Sequence, residues 1–463
     1  MAHIAEHIFR AYDIRGRESQ DELNEESLEL IGRAYGTYLA RKGVESVVVG
    51  HDSRATSDAF SRAAIRGLLM SGRKVLDLGT CLTPMMYWAQ YHFKTEGGFM
   101  ITASHNPVGW NGAKCASGYS QVLGGEELKK LYQMVRDEDF ESHEGSSVEE
   151  VDIKEEYFID LLSRVNVRKK FRMVVNTGNG TAGLFAPELL RRTHGEVIER
   201  NTTVDPTYPN YTPNPAETEM MEDTGRVVLE RGADFGVAFD GDGDRVGIVD
   251  EKGETVSPDR LLIFLAKLLL KEKEGATVVY DVTSTQAIDE AVTQDGGKAV
   301  MSATGHSNMK ATMAKVGADL GGEASGHMFF THGYYGFDDA SYAALKLVEF
   351  FSQQDVAISE LVATLPQYVA TPRYYVEATD EAKFDVVKEL TQQFKDEGYE
   401  VADMDGARVS FEGGWGIVRA SNTTPALVVR CEAKTEERLD EILQIFKDKL
   451  SAFEGVGGEW KAG

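Results

Sequence analysis

Val47-Val48-Val49-Gly50, a polar turn, the helical spacing of Ser57 to Met70 and then Gly72-Arg73-Lys74-Val75-Leu76 read as strand, loop, helix, glycine stop and second strand. The same order of parts recurs twice. Met173-Val174-Val175-Asn176 leads through a Gly-rich turn to a helix near 182–192 and on to Gly195-Glu196-Val197-Ile198. Thr277-Val278-Val279-Tyr280 is followed by Thr283-Ser284-Thr285, a helix near 286–294 and Gly297-Lys298-Ala299-Val300. Apolar strands alternating with helices mark α/β domains whose strands are covered on both faces. Three copies predict three related α/β domains with mixed sheets, alike in the kind of residue rather than in identity.

Beyond Pro366 to Pro372 the pattern changes. Tyr374-Tyr375-Val376 alternates like a strand, and Glu381 to Lys395 has helical spacing. Two strands flank Gly413-Gly414, a further strand covers Ala426 to Cys431, and Glu436 to Leu450 is a helix. This is a smaller α+β domain with a mostly antiparallel sheet. Asp137 to Glu156, acidic and poor in apolar residues, reads as the edge of the first domain. The turn Glu251-Lys252-Gly253-Glu254 opens the third. The expected domains are 1–150, 151–252, 253–367 and 368–463. Pro206 to Pro215 holds four of the eleven prolines and must be an irregular surface loop inside the second.

Composition limits what these domains do. The 463 residues are 42% apolar and 27% charged, an ordinary globular balance. The formal charge of −26, from 49 basic and 75 acidic residues, argues against nucleic-acid or anionic-membrane partners. It also opposes a phosphorylated substrate, so an anion site needs its own cluster of cations. The scattered Cys81, Cys115 and Cys431 have no metal or disulfide spacing and suit a reducing cytoplasm. The N-terminus has no signal-peptide pattern. The apolar run from Leu261 to Leu270 is about half a membrane span and reads as a core helix.

Two motifs carry the chemistry. Thr102-Ala103-Ser104-His105-Asn106-Pro107 follows the apolar run Gly98-Phe99-Met100-Ile101, which places a small nucleophile in a tight turn at a strand end. Alone, Ser104 is as well read as a turn serine, and His105 as a capping or core histidine. Asp240-Gly241-Asp242-Gly243-Asp244-Arg245 follows the strand Gly236-Val237-Ala238-Phe239. Its glycines let the backbone curl and aim three carboxylates at one point, which suits Mg²⁺ or Ca²⁺. An EF-hand loop also begins Asp-x-Asp-x-Asp, but Arg245 stands where that loop needs glycine and the flanks are strands. A solvated acidic turn is the other reading, although clustered carboxylates repel each other without a cation. Lys114 lies ten residues beyond Ser104. A phosphoserine facing a dication and a lysine is a transferable phosphoryl group.

Three further segments add binding groups. Gly321-Gly322-Glu323-Ala324-Ser325-Gly326-His327 frames a carboxylate, a hydroxyl and an imidazole between glycines, a set suited to vicinal sugar hydroxyls. Arg419-Ala420-Ser421-Asn422-Thr423-Thr424-Pro425 joins two strands and offers paired guanidinium donors for a phosphate. Phe9-Arg10-Ala11-Tyr12-Asp13-Ile14-Arg15-Gly16 places two arginines near a strand. Each is also compatible with an ordinary turn or a charged edge.

In this order the motifs resemble the α-D-phosphohexomutase superfamily, and within it the phosphomannomutase/phosphoglucomutase group, over nearly the whole chain from Phe9 to Pro425. The resemblance implies three α/β domains and a smaller TATA-binding-protein-like α+β domain around one cleft. It implies Ser104 as the phosphoserine, and Mg²⁺ (one per chain) held by Asp240, Asp242, Asp244 and the Ser104 phosphate. Glu323, Ser325 and His327 match sugar readers. Arg419, Ser421, Asn422 and Thr423 match a clamp for the non-reacting phosphate. Arg15, Lys114, Arg245, His306 and His327 match groups around the moving phosphoryl or the acid–base step. His105 beside the nucleophile joins the candidate catalytic set, and Tyr12 joins the candidate substrate-binding set. The chain departs from the pattern at Thr283, where relatives often carry Lys or Arg.

The expected reaction is reversible interconversion of hexose 6-phosphate and hexose 1-phosphate through glucose or mannose 1,6-bisphosphate. The enzyme is expected to be cytoplasmic, and a monomer or homodimer. Rival readings are a phosphoglucosamine mutase, which usually differs at the Ala324 position, a metal phosphohydrolase, and a non-catalytic sugar-bisphosphate sensor.

Overall fold

Four β-sheets organise the chain, and three of them repeat one winding. The computed structural model describes residues 4–10, 13–379, 382–421 and 425–462. The first part comprises β1 (Ile14–Arg17), α1 (Glu25–Arg41), β2 (Ser46–His51), α2 (Ser57–Met70), β3 (Lys74–Thr80), α3 (Thr83–Phe93), β4 (Gly97–Ile101), β5 (Trp110–Gly118), β6 (Gln121–Val122), α4 (Gly125–Arg136) and β7 (Ser147–Glu150). Its sheet runs β1-β5-β4-β2-β3-β7. β2 lies parallel to β3 on one side and to β4 on the other, and β5 returns antiparallel to β4. The chain therefore winds one way through α2 and the other way through α3. The strand order reverses between β2 and β4, and a ligand crevice forms at the carboxyl ends of two such strands.

The second part repeats this. It comprises α5 (Lys154–Ser163), β8 (Arg172–Asn176), α6 (Ala186–Arg191), β9 (Glu196–Arg200), α7 (Thr218–Arg231), β10 (Phe235–Phe239), β11 (Val246–Val249) and β12 (Thr255–Val256). β8 sits between parallel β9 and β10, and β11 returns antiparallel. The third part has α8 (Pro258–Glu272), β13 (Thr277–Asp281), α9 (Ala287–Gln294), β14 (Lys298–Ser302), α10 (His306–Val316), β15 (Leu320–Gly322), β16 (Met328–Phe330), α11 (Ala340–Ser352) and α12 (Ile358–Ala363). β13 sits between parallel β14 and β15, and β16 returns antiparallel. The three repeats read from the sequence are one topology used three times.

The fourth part is β17 (Val369–Ala370), β18 (Tyr374–Ala378), α13 (Ala382–Asp396), β19 (Val401–Ala402), β20 (Ala407–Phe411), β21 (Gly414–Ala420), β22 (Ala426–Ala433), α14 (Glu436–Leu450) and β23 (Val456–Ala462). Its sheet, β19-β20-β21-β22-β18-β23, is antiparallel throughout. One face packs on α13 and α14 in a core of its own. One continuous core links the other three parts, and the first of them has a second core of its own. α3 joins them: every residue from Thr83 to Gln90 is buried, as expected of a helix apolar on all sides. Tyr87 stacks on Phe337 at 5.5 Å, and Trp88 meets Tyr157 edge-on at 5.9 Å.

Two local readings change. The acidic stretch at the first boundary contains β7, which pairs parallel with β3 and is exposed at all four positions. Its charged side chains blunt a sheet edge, so it lacks the apolar pattern of a buried strand. The helix expected near 182–192 is a 3₁₀ turn, Thr181–Leu184, followed by α6, with a break at Phe185 and Pro187 in the new first turn.

α1 and α2 touch backbone to backbone. A Cβ on Gly67 would lie 2.0 Å from the Glu29 carbonyl oxygen, and one on Gly32 would lie 2.3 Å from that of Ala64. Gly67→Ala should therefore cost about 1–3 kcal/mol by overpacking. Thermal melting checks this, with Gly458→Ala, which meets open space, as the neutral control.

Candidate active site

Each switch point carries one of the motifs. Ser104 follows β4, Asp240 follows β10, and Glu323 follows β15. In the first domain, Ser104 takes φ of 50°, a left-handed conformation that costs a non-glycine residue energy and turns its buried hydroxyl toward the second domain. Thr102 Oγ1 accepts the Ser104 N–H at 2.9 Å. Arg54, almost fully buried, fastens the rest of the loop. Its Nη2 donates to the Ser104 and Asn106 carbonyls at 2.8 and 2.7 Å, and its Nη1 to those of Pro107 and Trp110 at 3.2 Å. Asp52 holds Arg54 Nε at 3.2 Å. Arg15 Nη1 donates to Asn106 Oδ1 at 2.9 Å, and its Nη2 pairs with Asp13 at 2.5 Å.

The cradle of the second domain closes against this loop. Asp240 Oδ1 accepts the N–H groups of Gly243, Asp244 and Arg245 at 3.0–3.1 Å. Gly241 permits the contact between domains, because a Cβ there would lie 2.4 Å from the Ser104 carbonyl. Ser104 Oγ donates to Asp240 Oδ2 at 2.9 Å and lies 3.0 Å from His105 Nδ1. Lys114, on β5, reaches across to Asp242 Oδ2 at 3.0 Å and Asp244 Oδ2 at 2.6 Å. Thr83 and Thr102 hydroxyls also donate to Asp242 Oδ2, at 2.6 and 3.1 Å.

All three carboxylates are fully buried. Burial, with the charges of Asp244 and Asp242, pushes Asp240 well up. Burial opposes the charge on Asp242 too, but Lys114 and the Thr83 hydrogen bond outweigh it and hold that carboxyl below the usual range. Lys114 stays charged: its desolvation is outweighed by Asp242 and Asp244. Lys114, with Arg245 Nε 4.0 Å from Asp240 Oδ2, faces three carboxylates, so negative charge remains uncompensated. Asp242 Oδ1 and Asp244 Oδ1 are buried without a hydrogen-bond partner among the described residues. Orphaned hard oxygens converging on one point fit a divalent cation.

The third domain supplies the opposite wall. Arg245 Nε donates to His327 Nε2 at 2.7 Å, so the imidazole carries its proton on Nδ1, which faces Asp338 at 3.3 Å and Glu323 at 3.5 Å. Burial, only partly offset by Asp244, holds His327 down to about 4. His105 is likewise pushed well down by burial and by Arg245 and Arg15, and His306 by burial. Burial thus favours the neutral form of all three rings, and His327 can take a proton on Nε2 only when Arg245 releases it. Glu323 is fully buried and accepts the Gly305 N–H at 2.6 Å. Burial, then the Asp281 charge, pushes it up to about 8. Ser325 is half-buried at the tip of this loop.

On the fourth domain Arg419 Nη2 pairs with Asp405 at 3.1 Å, and Asp405 also accepts the Thr304 N–H of the third domain at 3.2 Å. Ser421 is buried and its N–H donates to the Ala426 carbonyl. Tyr12, Asn422 and Thr423 lie outside the described residues. Side-chain contacts thus join Arg15, Ser104, His105, Lys114, the three aspartates, Arg245, Glu323, His306 and His327 in one group, while Arg419 and Ser421 belong to the facing domain.

Several members escaped the sequence reading. Arg54, Thr83 and Thr102 are three of them. A fourth is Lys310, buried 4.2 Å over the Tyr87 ring and in charge contact with Asp338 at 2.8 Å. Asp52-Ser53-Arg54 directly after a buried strand was the available signal for Arg54. Lys310 sits on an apparently ordinary helix and gave none.

A serine turn, a carboxylate trio and a sugar-type loop at three equivalent switch points define a multidomain α/β enzyme with one composite phosphate-handling centre. Family models agree domain by domain. Those for phosphoglucomutase/phosphomannomutase alpha/beta/alpha domains I, II and III match residues 6–142, 155–253 and 257–368, and the C-terminal domain matches 374–449. The phosphomannomutase/phosphoglucomutase of Pseudomonas syringae pv. tomato is 40% identical over 443 residues, 96% of this chain and 95% of that protein. The phosphoglucomutase of Neisseria meningitidis serogroup A is 38% identical, covering 96% and 97%. A solved structure of a phosphoglucomutase/phosphomannomutase family protein from Burkholderia thailandensis superposes with a TM-score of 0.91 at 34% identity, covering 97% and 98%. The chain belongs to the phosphoglucomutase/phosphomannomutase family, in the α-D-phosphohexomutase superfamily.

Two outcomes follow from this electrostatics. A divalent cation at about 100 times its Kd should stabilise the protein by about 2.7 kcal/mol. Asp242→Asn or Asp244→Asn should abolish that shift in a melting experiment. Glu323 should give a pH signature. In the folded protein it keeps its proton up to about 8, whereas the ordinary value is 4.5. Its contribution is fully present below 4.5 and lost as pH rises through about 8. Glu323→Gln should therefore gain stability relative to the unsubstituted protein across that window, as read by denaturant midpoints.

Proposed function

We propose that the protein is a phosphomannomutase/phosphoglucomutase, which interconverts hexose 6-phosphate and hexose 1-phosphate with a phosphate carried on Ser104. The observation that carries this reading is the position of Ser104 Oγ: on a strained turn, 2.9 Å from the metal-type cradle, with Lys114 joining that cradle to the serine's own domain.

Asp240, Asp242 and Asp244 would hold Mg²⁺ together with an oxygen of the Ser104 phosphate, and the ion would offset charge on the transferring group. Arg15, Lys114 and Arg245 surround the same point and add fixed positive charge. The free sugar hydroxyl attacks phosphorus. Its new O–P bond forms as the P–Oγ bond of Ser104 breaks, and its proton passes to a neutral imidazole, His327 or His306. Glucose or mannose 1,6-bisphosphate results, turns end for end, and returns its other phosphate to Ser104. Glu323 and Ser325 read the sugar hydroxyls, and the Arg419–Thr423 loop holds the phosphate that is not reacting. The reduced, buried cysteines suit a cytoplasmic enzyme.

Ser104→Ala should retain at most trace mutase activity while melting as a folded protein, and full activity in that variant would sink the mechanism. The purified protein should also carry about 80 Da beyond its sequence mass, one phosphoryl group, and Ser104→Ala should not. Parallel assays with glucose 1-phosphate, mannose 1-phosphate and glucosamine 1-phosphate, with and without Mg²⁺, fix the hexose.

A further inference from the structure

One face of the fourth domain's sheet carries more positive charge than its neighbours neutralise. Alternate residues of a strand point to opposite faces. Val376, Val418, Val429 and Cys431 point toward α13 and α14 and build that domain's core. The other set points away from those helices. Tyr374 pairs with Val429, so Arg373, one residue before β18, lies beside Arg430. Ile417 pairs with both Arg430 and Arg408, and Arg419 lies two residues further along the same face. Trp415 and Ile417 on this face pack on Val282, so the four arginines face the third domain.

Three of the four are occupied. Arg408 Nη1 donates to the Val282 and Ser284 carbonyls at 2.7 and 2.9 Å, with its guanidinium 3.8 Å over the Trp415 ring. Arg430 Nη1 donates to the Thr283 carbonyl at 2.6 Å, and its Nη2 lies 3.8 Å from Asp259. Arg419 pairs with Asp405. Arg373 is different. It is half-buried, and among the described residues it donates no hydrogen bond and has no carboxylate at ion-pair distance. After burial, the groups that act on it most are Arg430, Asp281, Tyr375 and Arg419, two of them like charges. Asp281, its one acidic neighbour in that set, is already engaged by the Thr283 and Ser284 hydroxyls and by the Ala324 N–H of the sugar-type loop. An enclosed guanidinium among arginines is costly unless an anion joins them.

We propose that Arg373 is a substrate-binding residue of this chain, which grips the non-reacting phosphate monoester of the hexose phosphate together with Arg419, beside the loop that reads the sugar. The proposal rests on the mutase reading for its substrate, and on the sheet register and the unpartnered guanidinium for its place. Thr283, at the edge of the same site, brings no charge, so Arg373 supplies positive charge there from the opposite domain.

Steady-state kinetics with glucose 1-phosphate test it. A charge-assisted contact of about 1.5–3 kcal/mol corresponds to roughly a 10- to 100-fold change in affinity. Arg373→Ala and Arg373→Gln should raise KM by that factor and leave kcat within about threefold, because the contact is made equally in ground and transition states. Arg373→Lys should restore most of the affinity, which loss of mere structural support would not predict. Unchanged KM in Arg373→Gln overturns the proposal, as does an equal fall in kcat for all three variants. If the unsubstituted protein shows no mutase activity, the mutase reading fails by itself. Calorimetric titration with inorganic phosphate then decides the anion site: weaker binding in Arg373→Gln supports it, and equal binding overturns it.

Discussion

Lys114 reaching from the first domain into the carboxylates of the second is the contact on which the rest of the centre depends. Its ammonium, Asp242 and Asp244 are all buried, and each would be prohibitively costly there without the others. The domains therefore cannot separate without exposing or stranding charge, and the cradle cannot form correctly without β5 beside it. The imbalance is as informative as the pairing. Lys114, the more distant Arg245, threonine hydroxyls and a nest of backbone N–H groups offset part of the charge of three carboxylates and leave two carboxylate oxygens without a hydrogen-bond partner among the described residues. That remainder has the right sign and donor chemistry for a dication, and the Ser104 hydroxyl stands at its edge.

The repeated winding explains why three motifs far apart in sequence meet. In each of the first three domains the central strand has a parallel neighbour on either side, and the functional loop leaves the carboxyl end of the second of these. The crevice at a switch point exists before any particular residue fills it. The first domain fills its crevice with the Ser104 turn, the second with the three aspartates and the third with the Glu323 loop. Packing along α3 and the shared core fixes the relative position of the three crevices.

Strand-and-helix order was legible because buried parallel strands read as short apolar runs and their helices as periodic ones. α2 and α14 occupy the residues their spacing indicates. The motifs were legible because nucleophile, ligands and glycines are local in sequence. What escaped was non-local or lacked an apolar pattern. β7 is an exposed, charged edge, and β23 follows a turn with alternating small and polar residues. Arg54 matters because it spans four carbonyls fifty residues away, a relation no local spacing encodes. Lys310 looks like a surface helix lysine until tertiary packing places it over Tyr87 and against Asp338.

The charge of the whole chain gives the local cations their weight. At −26 the molecule repels a sugar phosphate at long range, but at physiological salt that repulsion is screened beyond about 8 Å. Capture is therefore decided by groups close to the phosphate. Lys114 is engaged by Asp242 and Asp244, and Arg245 by His327 and Asp240, so the proposed source of positive charge for a second phosphate is the fourth domain. On one sheet face of that domain Arg408 and Arg430 hold the carbonyls of residues 282–284, and Arg419 pairs with Asp405, so the proposed binding surface and the docking surface coincide. Separating the third and fourth domains would break several arginine–carbonyl bonds, whereas moving the two as a unit would open the core that the third domain shares with the first two.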